Sequence, residues 1–211
     1  MRYTTTPYSG FDFVGLLEAL FETKDLSSLQ EHHEHLFKVG ADSSTSFHKR
    51  FYDKYRAGWP EMVNTYEDFV RSVVAPTYPM RILYQRFPTF RIHLPGNVAV
   101  GAFHNDAAFG HPKGEKNYII PLTNSDGSAS VWVESEPGKQ DFEPMRMRVG
   151  ELIAFDGNVL THGNHRNCTN AARVSMDFRI LPLARYHEES AQESITLGTK
   201  FKEGEYYKLL I

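Results

Sequence analysis

With 211 residues, 41% of them hydrophobic and 23% charged, the chain has the size and composition of one globular domain able to bury a substantial core. A formal net charge of −3, from 23 Lys and Arg against 26 Asp and Glu, gives no electrostatic reason to expect nucleic acid or an anionic membrane as a partner. The single cysteine, Cys168, excludes an internal disulfide, and neither an apolar run of about 18 residues nor a signal-type apolar segment occurs, so a soluble, cytoplasmic protein is expected.

The first third reads as helical and irregular. Phe13, Leu16, Leu17, Leu20 and Phe21 follow the i, i+3, i+4, i+7, i+8 pattern of an amphipathic helix. A second helical stretch carries Leu29, Leu36 and Phe37 and contains Glu31-His32-His33-Glu34-His35. That cluster has ligand-like spacing but reads as a charged, solvated helix face. A third stretch, residues 61–74, ends where Pro76 disfavours continuation. From Met80 the period changes to that of strands: residues 81–87, 90–94, 98–103, 118–122, 130–134, 145–149, 151–155 and 172–181, separated by turns such as Pro95-Gly96-Asn97 and Asn124-Ser125-Asp126-Gly127-Ser128. Many short strands with no helical pattern between them predict an antiparallel sandwich or barrel. The tail is polar and mixed, with Tyr206-Tyr207-Lys208-Leu209-Leu210 able to pack back on the body.

The last long strand alternates cleanly. Val174, Met176, Phe178 and Ile180 share one face, and Arg173, Ser175, Asp177 and Arg179 share the other. Either the polar face meets solvent, or the apolar face is covered by the N-terminal helices and the polar face looks into a barrel; alternation alone leaves both open.

Three short pieces carry chemistry: His104-Asn105-Asp106, Thr161-His162-Gly163 and Arg173-Val174-Ser175. Two imidazoles and one carboxylate suit one face of an octahedral ferrous ion, with the opposite positions open for a bidentate cosubstrate and oxygen. His104 and Asp106, two apart at the expected end of strand 98–103, would project to one side. His162 follows 58 positions after His104, and Gly163 leaves the backbone room for a close approach. Arg173 and Ser175 lie on one face of a strand and could hold a carboxylate together. His111 and His165 are near the ligands in sequence, and His162 is preferred because it stands eleven residues before Arg173.

His104-Asn105-Asp106, His162 and Arg173-Val174-Ser175 resemble the HxD…H…RxS pattern of the Fe(II)- and 2-oxoglutarate-dependent oxygenases. Gly150-Glu151-Leu152-Ile153-Ala154-Phe155-Asp156, Thr161-His162-Gly163-Asn164 and Ser175-Met176-Asp177-Phe178-Arg179 resemble the streptomycin-biosynthesis-type small-molecule branch. The resemblance covers residues 80–183. It implies a mainly β fold with N-terminal helices and a double-stranded β-helix (jelly roll, cupin-like) core, divided as 1–76 covering the sheet, 77–183 core and 184–211 packing on it. It also implies Fe(II) on His104, Asp106 and His162, and 2-oxoglutarate held by Arg173 and Ser175; Asn117, on the strand after the His104-Asn105-Asp106 loop, is a separate candidate to hydrogen-bond 2-oxoglutarate, with an Asn that merely ends a loop as the alternative. O2 would be consumed, succinate and CO2 released, and a small molecule such as an amino acid, amino sugar or cyclitol hydroxylated, cyclised or desaturated. The Asp at position 106 argues against halogenation.

Arg91, His93, Glu134 and Arg179 are the substrate-contact candidates, and residues 105–116, with Gly110, Pro112 and Gly114, have the composition of a lid. A cupin-type isomerase or lyase is disfavoured by Arg173-Val174-Ser175, and a non-catalytic binding protein by the intact triad. Oligomeric state is not legible.

Overall fold

The alternation along residues 172–181 is realised as β9 (Arg173–Pro182), the strand on which the molecule is assembled. In the computed structural model, which describes residues 1–32, 45–99, 102–187, 193 and 199–211, β9 pairs antiparallel along one edge with β2 (Ile82–Gln85) and β3 (Thr89–His93). Along its other edge it pairs with β4 (Lys116–Pro121). The sheet extends from β4 through β7 (Glu151–Phe155) to β1 (Thr4–Pro7), and from β2 to β10 (Tyr207–Leu209). A second, three-stranded sheet runs β6 (Glu143–Pro144), β5 (Val131–Val133), β8 (His162–Asn164). Among the described residues the fold is thus mainly antiparallel β with N-terminal helices.

The period of two sorts residues into two cores. On one face of the large sheet, Tyr118 and Ile120 of β4 and Val174, Met176, Phe178 and Ile180 of β9 pack with the helices. On the other, Ile119, Ile153 and Phe155 meet Val131, Val133, Met145 and Met147 from the side of the small sheet. The large sheet therefore lies between helices and a second sheet, which explains why both faces of β9 are buried.

α1 (Phe13–Phe21) starts where Asp12 accepts the Gly15 N–H at 2.9 Å, and buries Phe13, Leu17, Leu20 and Phe21. α2 (Leu29–His32) is short, and residues 33–37 of the expected second helical stretch, with three of the five residues of its charged cluster, lie outside the described residues. α3 (Ser46–Arg56), not anticipated from the sequence, buries Phe47, Phe51 and Tyr55 at four-residue spacing, with Phe51 stacked on Phe90 of β3 at 4.9 Å. α4 (Pro60–Phe69) begins with Pro at its first turn, passes into a π-turn over Val70–Val74 and ends in a 3-10 turn at Ala75–Thr77. Its Tyr66 and Phe69 set their ring edges against Phe178 at 5.4 and 6.5 Å.

Three local expectations change. Thr4–Pro7 forms an exposed edge strand on β7. The apolar run at 98–103 is not a strand in its described residues: Ala99 has φ +54°, and pairing resumes only at an isolated His104–His162 bridge. Residues 145–149 contribute a single bridge, Met147 to Ser125. The tail does pack back, with Tyr206 and Tyr207 buried. No helix of the described residues is long and apolar enough to cross a membrane.

Candidate metal centre

His162 opens β8, and a two-way backbone bridge to His104 (N···O 3.0 and 2.8 Å) draws the two imidazoles together. The bridge depends on Gly163. A Cβ there would lie 2.9 Å from Phe103 Cγ and 3.0 Å from Phe103 Cα, so the close approach this glycine permits is to the chain leading into His104. Asp106 is not on a strand with His104 as expected. It begins a 3-10 turn (Asp106–Phe109) capped by Asn105, whose side chain accepts the Ala108 N–H at 3.1 Å, while the Asp106 N–H donates to Gly157 O at 2.8 Å. A bridge followed by a capped turn, rather than strand alternation, turns both side chains the same way.

Each histidine is held in one tautomer. His104 Nδ1 donates to Ala102 O at 2.8 Å and His162 Nδ1 to Leu160 O at 3.0 Å, which leaves both Nε2 lone pairs free to ligate. Both Nε2 atoms face Asp106 Oδ1, at 3.7 Å from His104 and 3.5 Å from His162. Among the described residues these three form a group whose ligand atoms all lie within 4.8 Å of one another. Ligands at about 2.1 Å in cis positions stand about 3 Å apart, so the Nε2–Oδ1 separations of 3.7 and 3.5 Å are wider than in a metal-filled site. Burial lowers the His162 pKa, with Asp106 opposing, so the ring is neutral and ready to coordinate at pH 7. The His104 side chain retains 27% exposure, which leaves the group open on that side.

The other carboxylate oxygen of Asp106 is fully engaged. Oδ2 accepts from Asn117 Nδ2 at 2.7 Å, Arg179 Nη2 at 3.1 Å and Arg179 Nε at 3.3 Å. Arg179 Nη1 donates to Asp177 Oδ2 at 2.6 Å, and Arg91 Nε donates to Asp177 Oδ1 at 2.8 Å. Burial alone raises the Asp106 pKa; the Arg179 charge and the Asn117 hydrogen bond reverse this and hold the carboxyl well below the usual range. Asp177 is likewise depressed, with burial opposed by Arg91 and Arg179. Asn117 Oδ1 is buried without a hydrogen-bond partner. It faces a backbone that must be Gly157, because a Cβ there would sit 2.6 Å from Asn117 Nδ2.

Arg173 and Ser175 follow on the same row of β9, buried, with Arg173 Nη1 donating to Ser175 Oγ at 3.1 Å. Arg173 Nη2 donates to Asn164 Oδ1 at 2.9 Å and Nε to Ala129 O at 3.2 Å. Asn164 is two residues beyond His162 on β8, on the same face, hence about 7 Å along the strand from a ligand. Arg173 also lines a cavity of about 430 Å³ with Ala129, Thr169 and Ala172.

The substrate candidates are placed differently from one another. Arg179, buried, and Arg91, half-buried, belong to the ion-pair chain that ends on Asp106. His93 is fully buried. Burial and the Arg173 charge push its pKa down to about 4; Nε2 lies 2.9 Å from Asn97 O and Nδ1 3.2 Å from Ala129 O, two carbonyls of which a neutral ring can donate to one. Glu134 is also fully buried. Its oxygens accept the Thr161 N–H at 2.7 Å and the Gln140 N–H at 3.1 Å, bracing the segment before His162 rather than facing a ligand. Asn117 spends its amide N–H on Asp106.

His111 pairs with buried Glu115 (2.6 Å), which also accepts from Tyr207 Oη at 2.5 Å, and His165 lies between Trp132 and Phe103. Residues 105–116, expected as a lid, are tied down by that pair and by Asn158 Nδ2 donating to Pro112 O at 3.1 Å. The sequence reading gave no role to Asp177, Gly157 or Asn164. Asp177 shares the polar face of Arg173 and Arg179, which was the available signal; Gly157 and Asn164 matter only through tertiary contacts.

No family model matches the chain. The streptomycin biosynthesis protein StrG of Streptomyces griseus is 40% identical over 166 residues, covering 79% of this chain and 77% of that protein. Among solved structures, the non-haem alpha-ketoglutarate-dependent carbocyclase SnoK from nogalamycin biosynthesis aligns with a TM-score of 0.60, 11% identity and coverage of 100% and 92%. HygX from Streptomyces hygroscopicus, with nickel and 2-oxoglutarate bound, aligns with a TM-score of 0.53, 13% identity and coverage of 99% and 93%. At these identities the likeness is one of fold.

Proposed function

The chain belongs to the family of the streptomycin biosynthesis protein StrG, and from that premise we propose that it is a non-haem Fe(II)- and 2-oxoglutarate-dependent oxygenase of natural-product biosynthesis. In this reading the two facing sheets are a double-stranded β-helix core over residues 77–183, with 1–76 covering one face and 184–211 packing against it. His104 Nε2, Asp106 Oδ1 and His162 Nε2 hold the metal. Arg173 and Ser175 take the distal carboxylate of 2-oxoglutarate, where the planar guanidinium fork gives bidentate recognition.

The observation that carries the reading is the pairing of two tautomer-locked imidazoles on one carboxylate oxygen, with buried Arg173 hydrogen-bonded to Asn164, two residues beyond the ligand His162 on β8. A dicarboxylate with one end at the metal would have Arg173 and Ser175 as the partners of its other end. When bound, Fe(II) supplies O2 activation coupled to decarboxylation of 2-oxoglutarate to succinate and CO2, and so to oxidation of a substrate C–H bond. The protein's own residues do the rest. Ala102 O and Leu160 O keep the imidazole protons on Nδ1, Arg173 and Ser175 fix the cosubstrate's orientation, and Phe109 and Phe155, packed edge-on at 4.9 and 5.1 Å, shield the imidazoles.

The substrate is a small molecule, with an amino sugar or cyclitol intermediate first, by analogy with the pathway named for StrG, and an amino acid second. The reaction is hydroxylation, with ring closure or desaturation on the same site as variants. The test supplies purified protein with Fe(II), 2-oxoglutarate and O2 and follows succinate, then screens aminocyclitols and amino sugars by mass spectrometry. Succinate formation, and a product that gains one oxygen or loses two hydrogens, support the proposal. Absence of any 2-oxoglutarate turnover, with or without substrate, contradicts it.

A further inference from the structure

The polar row of β9 presents a cationic side chain beside the metal-facing carboxylate, and sequence reasoning assigned it to substrate. Arg179 is buried, and three of its nitrogens are engaged: Nε and Nη2 on Asp106 Oδ2, Nη1 on Asp177 Oδ2. Asp177 is fixed from its far side by Arg91. The four groups alternate in sign, Arg91, Asp177, Arg179, Asp106; buried Arg179 and Asp106 each have an opposite neighbour, and half-buried Asp177 and Arg91 complete the chain toward the surface. Asn117 adds its own N–H to Asp106 Oδ2.

From this arrangement we propose that Arg179, with Asn117, is a positioning residue that makes Asp106 a one-oxygen ligand. The inference depends on the reading of His104, Asp106 and His162 as metal ligands. Three donors occupy Oδ2, the full acceptor capacity of that oxygen and more, while Oδ1 alone faces the two Nε2 atoms. A carboxylate free to turn can chelate a divalent ion through both oxygens, as carboxylates do at other metal sites. On a six-coordinate ion, a chelating Asp106 with two histidines leaves two positions open; a one-oxygen Asp106 leaves three. Two-oxygen coordination of 2-oxoglutarate plus one position for O2 needs three. Arg179 thus preserves the vacancy count, and substrate recognition falls to other residues.

The experiment uses the full chain loaded anaerobically with Fe(II) and saturating 2-oxoglutarate, then titrated with nitric oxide, which takes the position left for O2 and is read by its visible band. Arg179→Lys keeps the charge and loses the two-pronged grip on Oδ2; Arg179→Met loses both. The proposal requires one Fe(II) and one 2-oxoglutarate per chain in each variant and a nitric oxide affinity at least tenfold weaker than wild type in both, since outer-sphere changes at metal sites cost about 10–100-fold. Nitric oxide affinity within twofold of wild type in Arg179→Lys overturns it. So does a loss confined to Arg179→Met with Lys restoring the wild-type value, because charge alone would then explain the effect. Should both variants fail to fold, Asn117→Ala, which leaves the ion-pair chain whole, must weaken nitric oxide binding in the same direction, and an unchanged affinity there overturns the proposal. Wild-type protein that takes up no Fe(II) overturns the metal-site reading beneath it, an outcome distinct from a wild type that binds metal, 2-oxoglutarate and nitric oxide and variants that match it.

Discussion

Gly157→Ala tests how tightly the carboxylate is held. The added Cβ would lie 2.6 Å from Asn117 Nδ2, 2.7 Å from Cγ and 2.9 Å from Oδ1, all closer than a real Cβ approaches its neighbours. Asn117 cannot retreat with its backbone, since β4 is paired on both sides, to Phe155 and to Arg179. Either its side chain rotates, breaking the 2.7 Å hydrogen bond to Asp106 at a cost of about 1.5–3 kcal/mol for a charged acceptor, or the strands part at a similar overpacking cost of about 1–3 kcal/mol. For a chain of this length, about 2–4 °C per kcal/mol gives a fall in Tm of about 2–12 °C. The assay is a thermal melt of the metal-free protein in a double-mutant cycle with Asn117→Ala. Gly157→Ala is expected to be costly in wild type and to add under 0.5 kcal/mol once Asn117 is already Ala. Equal costs in both backgrounds would refute the steric link between Gly157 and the Asp106 oxygen.

Three further outcomes follow from the same contacts. Arg173→Met is expected to weaken 2-oxoglutarate binding by about 3 kcal/mol, roughly 100-fold, while leaving Co(II) uptake unchanged; parallel loss of both ligands would contradict separate roles. Phe178→Ala empties a fully buried site between Tyr66, Phe69 and Tyr118 and is expected to cost about 3–5 kcal/mol in urea unfolding, with a cost below 1 kcal/mol contradicting the helix-on-sheet core. His48 and His93 are buried with pKa values lowered to about 4, in both by burial first, aided by Arg91 at His48 and by Arg173 at His93. Their folded pKa values lie below the unfolded value of about 6.5, so the unfolded chain takes up protons first. Stability is fully present above about pH 6.5, falls as pH drops to about 4 by up to about 3 kcal/mol per histidine, and flattens below. Urea midpoints between pH 7 and 4 should show that slope, and His93→Gln should reduce it; an unchanged slope would remove His93 from the account.

Much of this architecture was legible because its signals are local. The alternation of β9 survives burial on both faces, since its polar side chains are satisfied by one another, and it shows that Arg173, Ser175 and Arg179 share a face; that this face is the buried one facing the small sheet is visible only in the fold. The spacing of His104, Asp106 and His162 picked out three side chains whose ligand atoms the fold brings within 4.8 Å of one another, a donor set that suits an octahedral ion. What escaped depended on long-range contacts. Thr4–Pro7 has no apolar face and becomes a strand only against β7. The apolar run at 98–103 imitates a strand, yet the chain turns at Ala99 and joins the site through one backbone bridge. Arg179 and Glu134 read as free charges because nothing in sequence shows that Asp106, 73 positions away, and the Thr161 N–H are their partners.

The most direct measurement is an anaerobic titration of 2-oxoglutarate into Fe(II)-loaded protein, followed in the visible region. The account expects a weak metal-to-ligand charge-transfer band that saturates at one 2-oxoglutarate per chain, is lost in His162→Ala and is displaced to much higher ligand concentration in Arg173→Met. Saturable Fe(II) binding with no such band, or a band that survives His162→Ala, would contradict it.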